Sequence, residues 1–319
     1  FTAEAFPAHL ASLGAAPAWW LDRKRAAYES FASLPMPRRT DESWRFSSIG
    51  TLTLEGFTLP AAATPGSQAG GDRFGPAALA FTNNTLSHRA NLPAELAAKG
   101  VVVVPLTEAV VTHADLLRAH FMAQPQKLGS AKFAALHTAF VRDGAFIFIP
   151  RGVEVPAPIV IRHVAAGPGA AVFPQTLVIA EENSKVTVVD YFVSADATAG
   201  VASPSASGTN GRDAKPLPQF ALGANDLYAA HGARLTYVAA QNWSRDTLSF
   251  QLNSTVVRRD ARVQSLNLHL GARQARHESL SQLQAPGAFS EMLALTVADE
   301  AQEFDQRTLQ IHQAPNTKS

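Results

Sequence analysis

From Asn183 to Gln313 the chain repeats itself. The quartets Gly232-Ala233-Arg234-Leu235 and Asp260-Ala261-Arg262-Val263 sit one period apart, and Gly287-Ala288-Phe289-Ser290 follows at nearly the same step. Each quartet opens a run of alternating apolar residues. Second runs, Thr247 to Val257 and Arg276 to Leu283, lie between them. A fixed period in the range of ~20–50 residues marks a stacked architecture in which each coil buries its apolar face only against its neighbours. Two strands and two turns per period point to a β-solenoid and away from an ordinary pocketed enzyme fold.

The chain of 319 residues, 46% of them hydrophobic, has material for a large core. Its length alone predicts about two domains of ~100–200 residues each. Lys+Arg 27 against Asp+Glu 26 leaves a net charge of +1, so no strong global field attracts nucleic acid or an acidic membrane. There is no cysteine. A disulfide framework, a thiolate nucleophile, a CxxC pair and a Cys-ligated cluster therefore lie outside what this chain builds by itself. The most apolar run, Val101 to Val104, is bounded by Gly100 and Pro105 and falls far short of the ~20 residues a membrane-spanning helix needs. The start, Phe1 to Pro7, lacks a basic segment followed by an apolar one, so it does not read as a signal peptide, and it also lacks Met. A cytoplasmic location is the expectation.

Three regions follow from the pattern: an N-terminal helical region over 1–60, a mixed α/β connection over 61–135 and a β core over 136–319. Residues up to about Leu34 are rich in good helix formers, with Trp19, Leu21 or Trp20, Ala27, Tyr28 and Phe31 at roughly helical spacing and Pro17 as a break or a new start. Arg38 to Phe46 reads as a charged turn punctuated by aromatics, and Ala61 to Gly71 as a linker. Leu79 to Asn84 predicts a strand and turn, Val101 to Val104 a buried strand, and Thr107 to Ala123 and Lys132 to Val141 helices. From Gly144 on, Phe146 to Ile149, Ile159 to Ile161, Thr176 to Ile179 and Lys185 to Val193 are rich in β-branched and aromatic residues. Residues 195–218, rich in Ala, Ser, Gly and Pro, interrupt this as a long insertion. The repeat resumes at Phe220 and ends abruptly at Ser319 without a polar or helical cap, so the native protein is expected to continue.

A set of ordered motifs runs through the β part: Lys132 to Phe140, Asp143-Gly144-Ala145-Phe146, Ile149-Pro150-Arg151-Gly152-Val153-Glu154-Val155, Thr176 to Glu182, Trp243-Ser244-Arg245-Asp246-Thr247, and Asp305-Gln306-Arg307-Thr308 followed by His312 to Ser319. In order and spacing these resemble the SufB/SufD family of iron–sulfur cluster assembly proteins. Glu42-Ser43-Trp44-Arg45-Phe46, after a helical region, is similar to the family's Glu-x-Trp-Arg-Tyr signal and is closer to the SufD branch than to the SufB branch. Lack of cysteine agrees, since the family's scaffold cysteines are expected on SufB. The family-motif positions are Trp44, Pro150, Gly152, Trp243 and His312.

The resemblance implies a right-handed parallel β-helix core with an N-terminal helical region. It implies a non-catalytic scaffold that pairs with a SufB-like subunit across β-helix ends and edges, with a SufC-like ABC ATPase docked on each partner through a C-terminal helical region. A homodimer through the same edges is a further expectation. An iron–sulfur cluster would be held transiently by the assembled complex, and no cofactor by this stretch alone. The family's Ser-His-Gly segment, with its cluster-site histidine, and its ATPase-docking helices would follow Ser319, so neither is carried over to residues here.

Weighed one by one, the residues add little catalytic chemistry. His269 and His277 flank the turn Gly271 to Ala275, and imidazole suits iron or zinc, but a site needs three or four convergent ligands. Both are expected on the surface, solvated or hydrogen bonded. His277 and His312 remain the metal candidates, His312 being expected as a hydrogen-bonding residue at a strand end. Glu181-Glu182 and Asp299-Glu300 are adjacent on the chain and point apart on a strand, so they read as turn and surface charges rather than an acid–base pair. No Walker lysine loop is present, and Ser47, Ser244 and Ser290 lack a nucleophile elbow. Arg151, Arg162, Arg234, Arg245, Arg258, Arg259, Arg262, Arg273 and Arg276 would form a basic stripe for an acidic partner if they stacked on one face, and otherwise the ordinary charged face of a solenoid. The alternative function is a β-helical polysaccharide lyase or hydrolase. That would require export and an aromatic-lined groove, and the aromatics here are scattered.

Overall fold

The computed structural model describes residues 1–47, 52–60, 75–195 and 218–319. The linker expected over 61–71 and almost all of the insertion expected over 195–218 lie outside the described residues. Helices α1 (Ala5–Ser12) and α2 (Ala18–Ser33) open the chain. Then come β1 (Leu79–Thr82), β2 (Thr85–Arg89), α3 (Ala94–Ala98), β3 (Val102–Pro105), α4 (Leu106–Thr112), α5 (Ala114–His120) and α6 (Ala131–Phe140). Strands follow: β4 (Ala145–Ile149), β5 (Ile159–Ala165), β6 (Ala171–Val172), β7 (Gln175–Ala180), β8 (Lys185–Ser194), β9 (Phe220–Ala229), β10 (Arg234–Asn242), β11 (Leu248–Val257), β12 (Arg262–His269), β13 (Gln274–Leu283), β14 (Phe289–Thr296) and β15 (Glu303–His312).

These strands alternate between two sheets, ordered β14-β12-β10-β8-β5-β1-β2 and β15-β13-β11-β9-β7-β4-β3. Every pairing among β4 to β15 is parallel. The result is a mainly β chain wound as a parallel solenoid of about five turns, with helices at its N-terminal side. The connecting region does more than connect. The hairpin β1–β2 adds to β5 through β1, and β3 pairs antiparallel with β4, so both sheets are extended at their first edge.

The repeat has a physical cause at one corner. Arg234 pairs with Arg262, and Arg262 with Phe289, so the quartets stack in register. The residue that opens each corner is left-handed: Asn183 at φ 56, Gly232 at 68, Asp260 at 53 and Gly287 at 77. Gly, Asn and Asp enter that region at least cost. The next residue, Ser184, Ala233, Ala261 or Ala288, turns inward and is buried. A Cβ on Gly232 would run into the Asn183 side chain, and one on Gly287 into the Asp260 carboxylate. Glycine is therefore favoured at both positions by φ, and a side chain there would have to displace the tip of the Asn183 or Asp260 side chain.

The helices cover the outer face of the second sheet. Trp20, Phe31, Leu117, Phe121, Phe133 and Phe140 pack with Phe146, Phe173, Phe220 and Phe250 from the strands. Helix ends are tied by cations from other helices. Lys24 of α2 donates to the carbonyls of Thr138 (3.3 Å) and Val141 at the end of α6. Arg23 donates to the carbonyl of Phe121 after α5, and Lys132 of α6 to that of Phe31 (2.6 Å) in α2. Each cation satisfies carbonyls that a helix C-terminus leaves without a partner. Burial pushes the Lys24 ammonium down to about 7. Pro17 starts α2, and the helix expected over 107–123 is two short helices meeting at His113.

Candidate functional site in the last coils

Side chains at alternate positions of β9 to β15 point into the solenoid, and beside an apolar edge of Leu227, Leu235, Val257, Val263 and Leu283 the interior carries a polar row. Asn225 donates to Asn253 Oδ1 (3.0 Å), as does Gln251 (3.2 Å). Asn253 Nδ2 in turn donates to Ser279 Oγ (3.1 Å) and to Asn267 Oδ1 (3.4 Å). Parallel register stacks Asn225, Asn253, Ser279 and Thr308 in one row and Gln251, His277 and Gln306 in another. Nearer the middle, the Tyr237 hydroxyl donates to Asp190 Oδ2 (2.7 Å), and His163 Nε2 lies 3.3 Å from Asp190 Oδ1, off the line of a hydrogen bond. The His163 ring is sandwiched between Phe81 (5.2 Å) and Phe192 (5.3 Å).

His269 and His277 correct the expectation of surface histidines. They are 2% and 3% exposed, with ring centroids 3.6 Å apart. Burial pushes His269 down to about 4, and burial with the neighbouring His269 pushes His277 well below the usual imidazole range. Both sit at inward positions of strands joined by one corner. The polar alternation Ser265, Asn267, His269 reads as a solvent face on the chain, but it faces inward. Among the described residues no three His, Cys, Asp or Glu side chains converge as a metal-binding group.

Trp44 is a buried anchor. Its Nε1 donates to the Gly129 carbonyl (3.0 Å), and its ring lies between Phe133 (5.6 Å) and the Arg276 guanidinium (3.6 Å). Arg276 also bonds Glu278 Oε1 (2.8 Å) and the carbonyls of Ser43 (2.9 Å) and Leu128 (3.0 Å), and it pairs with Asp305. Ser130 Oγ donates to the same Glu278 oxygen (2.6 Å). One buried arginine on β13 thus fastens residues 43–47 and 128–130 to the last coils. Arg162 and Arg276 are buried and leave the proposed basic stripe, while Arg234 and Arg262 are exposed neighbours in register. Arg245 pairs with Asp299 (2.9 Å) and Arg151 with Glu182 (3.4 Å).

The remaining motif residues shape corners. Gly152, at φ 70, follows Pro150 in the turn after β4 and donates to the Glu182 carbonyl (2.8 Å). Trp243 is buried at the end of β10 against Phe192 (6.0 Å), and Gly271 passes so close to its backbone that no Cβ fits. His312 ends β15, its ring nitrogens engaged with Thr317 Oγ1 (2.7 Å) and Ser319 Oγ (3.1 Å).

Outside, the first sheet of the last coils carries an apolar stripe. Leu293, Leu295 and Val297 on and after β14 are 50%, 53% and 52% exposed, and Leu270 is 39% exposed. Register continues this stripe onto Leu266 and Leu268 of β12. Sequence reasoning missed it because an alternating apolar run looks the same whichever face is buried. No helix among the described residues is long and apolar enough to cross a membrane.

Comparison with known proteins matches this architecture twice. The family described as "SUF system FeS cluster assembly, SufBD core domain" covers residues 163–319, and the "SufBD protein N-terminal region" covers residues 15–161. The chain is similar to the iron-sulfur cluster assembly protein SufD of Bacillus subtilis (strain 168), 28% identical over 185 residues, 56% of this chain and 42% of that protein. It is also similar to SufB of the same organism, 23% identical over 325 residues, 95% of this chain and 64% of that protein. A SufBD family protein of Synechocystis is 23% identical over 296 residues, 89% of this chain and 61% of that protein. The matched part is thus less than two thirds of each of these relatives. With both regions matched in order along the solenoid and its helical flank, this chain belongs to the SufBD family of iron–sulfur cluster assembly proteins.

Proposed function

We propose that the chain is the non-catalytic scaffold part of a SufD-type subunit, working in the cytoplasm with a SufB-like partner and a SufC-like ATPase. The iron–sulfur cluster is then the cargo of the assembled complex. The observation that carries the reading is the exposed stripe Leu270, Leu293, Leu295 and Val297 along the outside of the last coils. Contiguous exposed apolar surface of this kind marks association. The lack of cysteine supports the SufD branch, because a SufB-like partner then supplies the thiolates. The lack of a phosphate-binding lysine loop assigns nucleotide chemistry to a separate subunit. Family membership replaces the polysaccharide-enzyme alternative.

The test is co-expression of the full-length protein with its host's SufB- and SufC-like proteins. A stable three-protein complex that Leu293→Lys and Leu295→Lys together disrupt is the expected result. A full-length protein recovered from its own host as a partner-free monomer overturns the reading.

A further inference from the structure

We propose that the cavity beneath α1 is a binding site for a small aromatic molecule that carries one negative charge. The cavity lies among α1, the stretch from Phe57 to Pro60, the β1–β2 turn and the residues that end and follow α6. Its volume is about 560 Å³, within the range of roughly 300–1,000 Å³ typical of sites for small organic molecules. Sheet order puts β1 and β2 at one end of the solenoid and the exposed leucines of β14 at the other, so this site is separate from the apolar stripe. The inference rests on the cavity alone and not on the scaffold reading.

The aromatic walls are already in place. Phe1, Phe57 and Phe140 line the cavity, and each is braced by further rings: Phe1 against Phe140 (5.3 Å) and Phe173 (5.7 Å), Phe57 against Phe220 (5.2 Å), and Phe140 against Phe173 (5.9 Å). Rings held in this way offer an incoming ring offset or edge-on partners without rearrangement. Another wall is fixed by polar contacts. Asn83 Nδ2 donates to the Ala166 carbonyl (3.1 Å) and Asn83 Oδ1 accepts from the Ala166 amide (2.9 Å), while Asn84 Nδ2 donates to the Ala171 carbonyl (2.9 Å). Both side chains are thus spent on holding the turn.

Charge selects the rest of the ligand. Arg142 and His9 are the titratable side chains on the cavity, and no carboxylate lines it among the described residues. Burial, with Lys24 and Arg142 nearby, holds His9 at about 3, so its ring is uncharged at neutral pH. Arg142 is half-buried, and its Nη1 donates to Ser12 Oγ (3.3 Å), which leaves the guanidinium with donors for an anion. One uncompensated cation matches one carboxylate, which a guanidinium holds through two parallel bonds. A di- or triphosphate would bring charge that nothing on the cavity balances.

The experiment is calorimetric titration of the chain with 2-naphthoate, beside the neutral 2-naphthamide of nearly the same shape. One naphthoate per chain is expected, with the amide weaker by about tenfold or more, the worth of a charge-assisted pair. Arg142→Gln should weaken naphthoate by about tenfold and erase its advantage over the amide. Ala8→Trp, at an exposed position of α1 on the cavity, should fill the space and block both ligands, with an unchanged circular dichroism spectrum as the check on folding. Leu295→Lys should leave binding as it is, which separates the cavity from the stripe. Four results overturn the proposal: no saturable binding up to about 1 mM, equal affinity for naphthoate and amide, full affinity retained in Arg142→Gln or in folded Ala8→Trp, or binding lost in Leu295→Lys. Where Arg142→Gln does not fold, the preference for naphthoate over the amide in the unsubstituted chain, together with Ala8→Trp, decides.

Discussion

The first and last turns of the solenoid share one backbone ladder and are filled with opposite materials. Between β4 and β8 the interior is mostly apolar, with Ile147, Ile149, Ile159, Ile161, Val178, Val186 and Val188 all buried and the His163–Asp190 pair as the polar exception. Between β11 and β15 a polar row of Gln251, Asn253, Asn267, His269, His277, Ser279 and Ser281 runs beside an apolar edge of Val257, Val263 and Leu283. The outside is reversed. The second sheet is covered by helices along the earlier turns, whereas Leu293 and Leu295 stand in solvent on the last strand of the first. Hydrogen bonds along the parallel ladders are indifferent to what the side chains do, so the repeat tolerates both fillings. The more apolar filling lies at the N-terminal side, and the last turns present polar side chains inside and an apolar stripe outside.

Arg276 is where the two regions are joined, and its loss gives the largest expected effect. Arg276→Leu strands Glu278 and releases Trp44 and Ser43, at a cost of about 3–5 kcal/mol for a broken buried pair. Urea unfolding measures it, and a change below about 1 kcal/mol would show that the N-terminal segment is held by its aromatics instead. The contrast of fillings comes next. Ile161→Ala should cost about 2–5 kcal/mol, as a deletion in a close-packed apolar core does. Ser279→Ala removes one acceptor for Asn253 and should cost about 1 kcal/mol. Equal costs at the two positions would abolish the distinction between the regions.

Much of this was legible in the chain because corners and ladders act locally. Asp260-Ala261-Arg262 and Gly287-Ala288-Phe289 announce a left-handed residue, a small buried one and a strand start, and the structure uses them so. Trp44, Pro150, Gly152 and Trp243 could be picked out as a pattern, but their roles depend on partners far along the chain. Trp44 meets Arg276 and Gly129, and Trp243 meets Gly271 and Phe192. The inward histidines were misread because polarity at alternate positions signals solvent only when the core is apolar. Here the core changes character along the axis, and a one-dimensional pattern does not carry that change.

The corner itself gives an intermediate effect. Gly287→Ala places a side chain at φ 77 and against the Asp260 carboxylate, with an expected loss of about 1–3 kcal/mol. Asp260→Gly in the same chain, which keeps the φ of 53 at no cost, should recover part of that loss, and strict additivity of the two changes would show that the contact is not felt.

Acid should act on both regions. Burial holds His9 and His137 at about 3 and His269 at about 4, against an ordinary 6.5. The unfolded chain therefore takes up these protons first, and stability is lost progressively as pH falls below 6.5. Asp143 and Asp226, pushed up to about 6 from 3.8 by burial, act in the opposite sense as pH falls from 6 to 3.8 and offset part of the loss. Calorimetry between these limits should show a falling melting temperature, with a shallower slope in His137→Gln. A melting temperature that rises on acidification would mean that the two aspartates outweigh the histidines.

The smallest effect on stability is expected where the surface is most conspicuous. Leu295 is 53% exposed, so Leu295→Lys removes little burial and should change the unfolding free energy by no more than about 0.5 kcal/mol. The same change places a charge in the middle of the stripe that runs from Leu268 to Val297. If the stripe is a docking face, association is lost while the melting temperature holds, and sedimentation of the wild-type and variant chains separates the two readouts. A large drop in stability instead would mean that Leu295 belongs to the packed body of the solenoid, and the outer face of the last turns would then resemble that of the first.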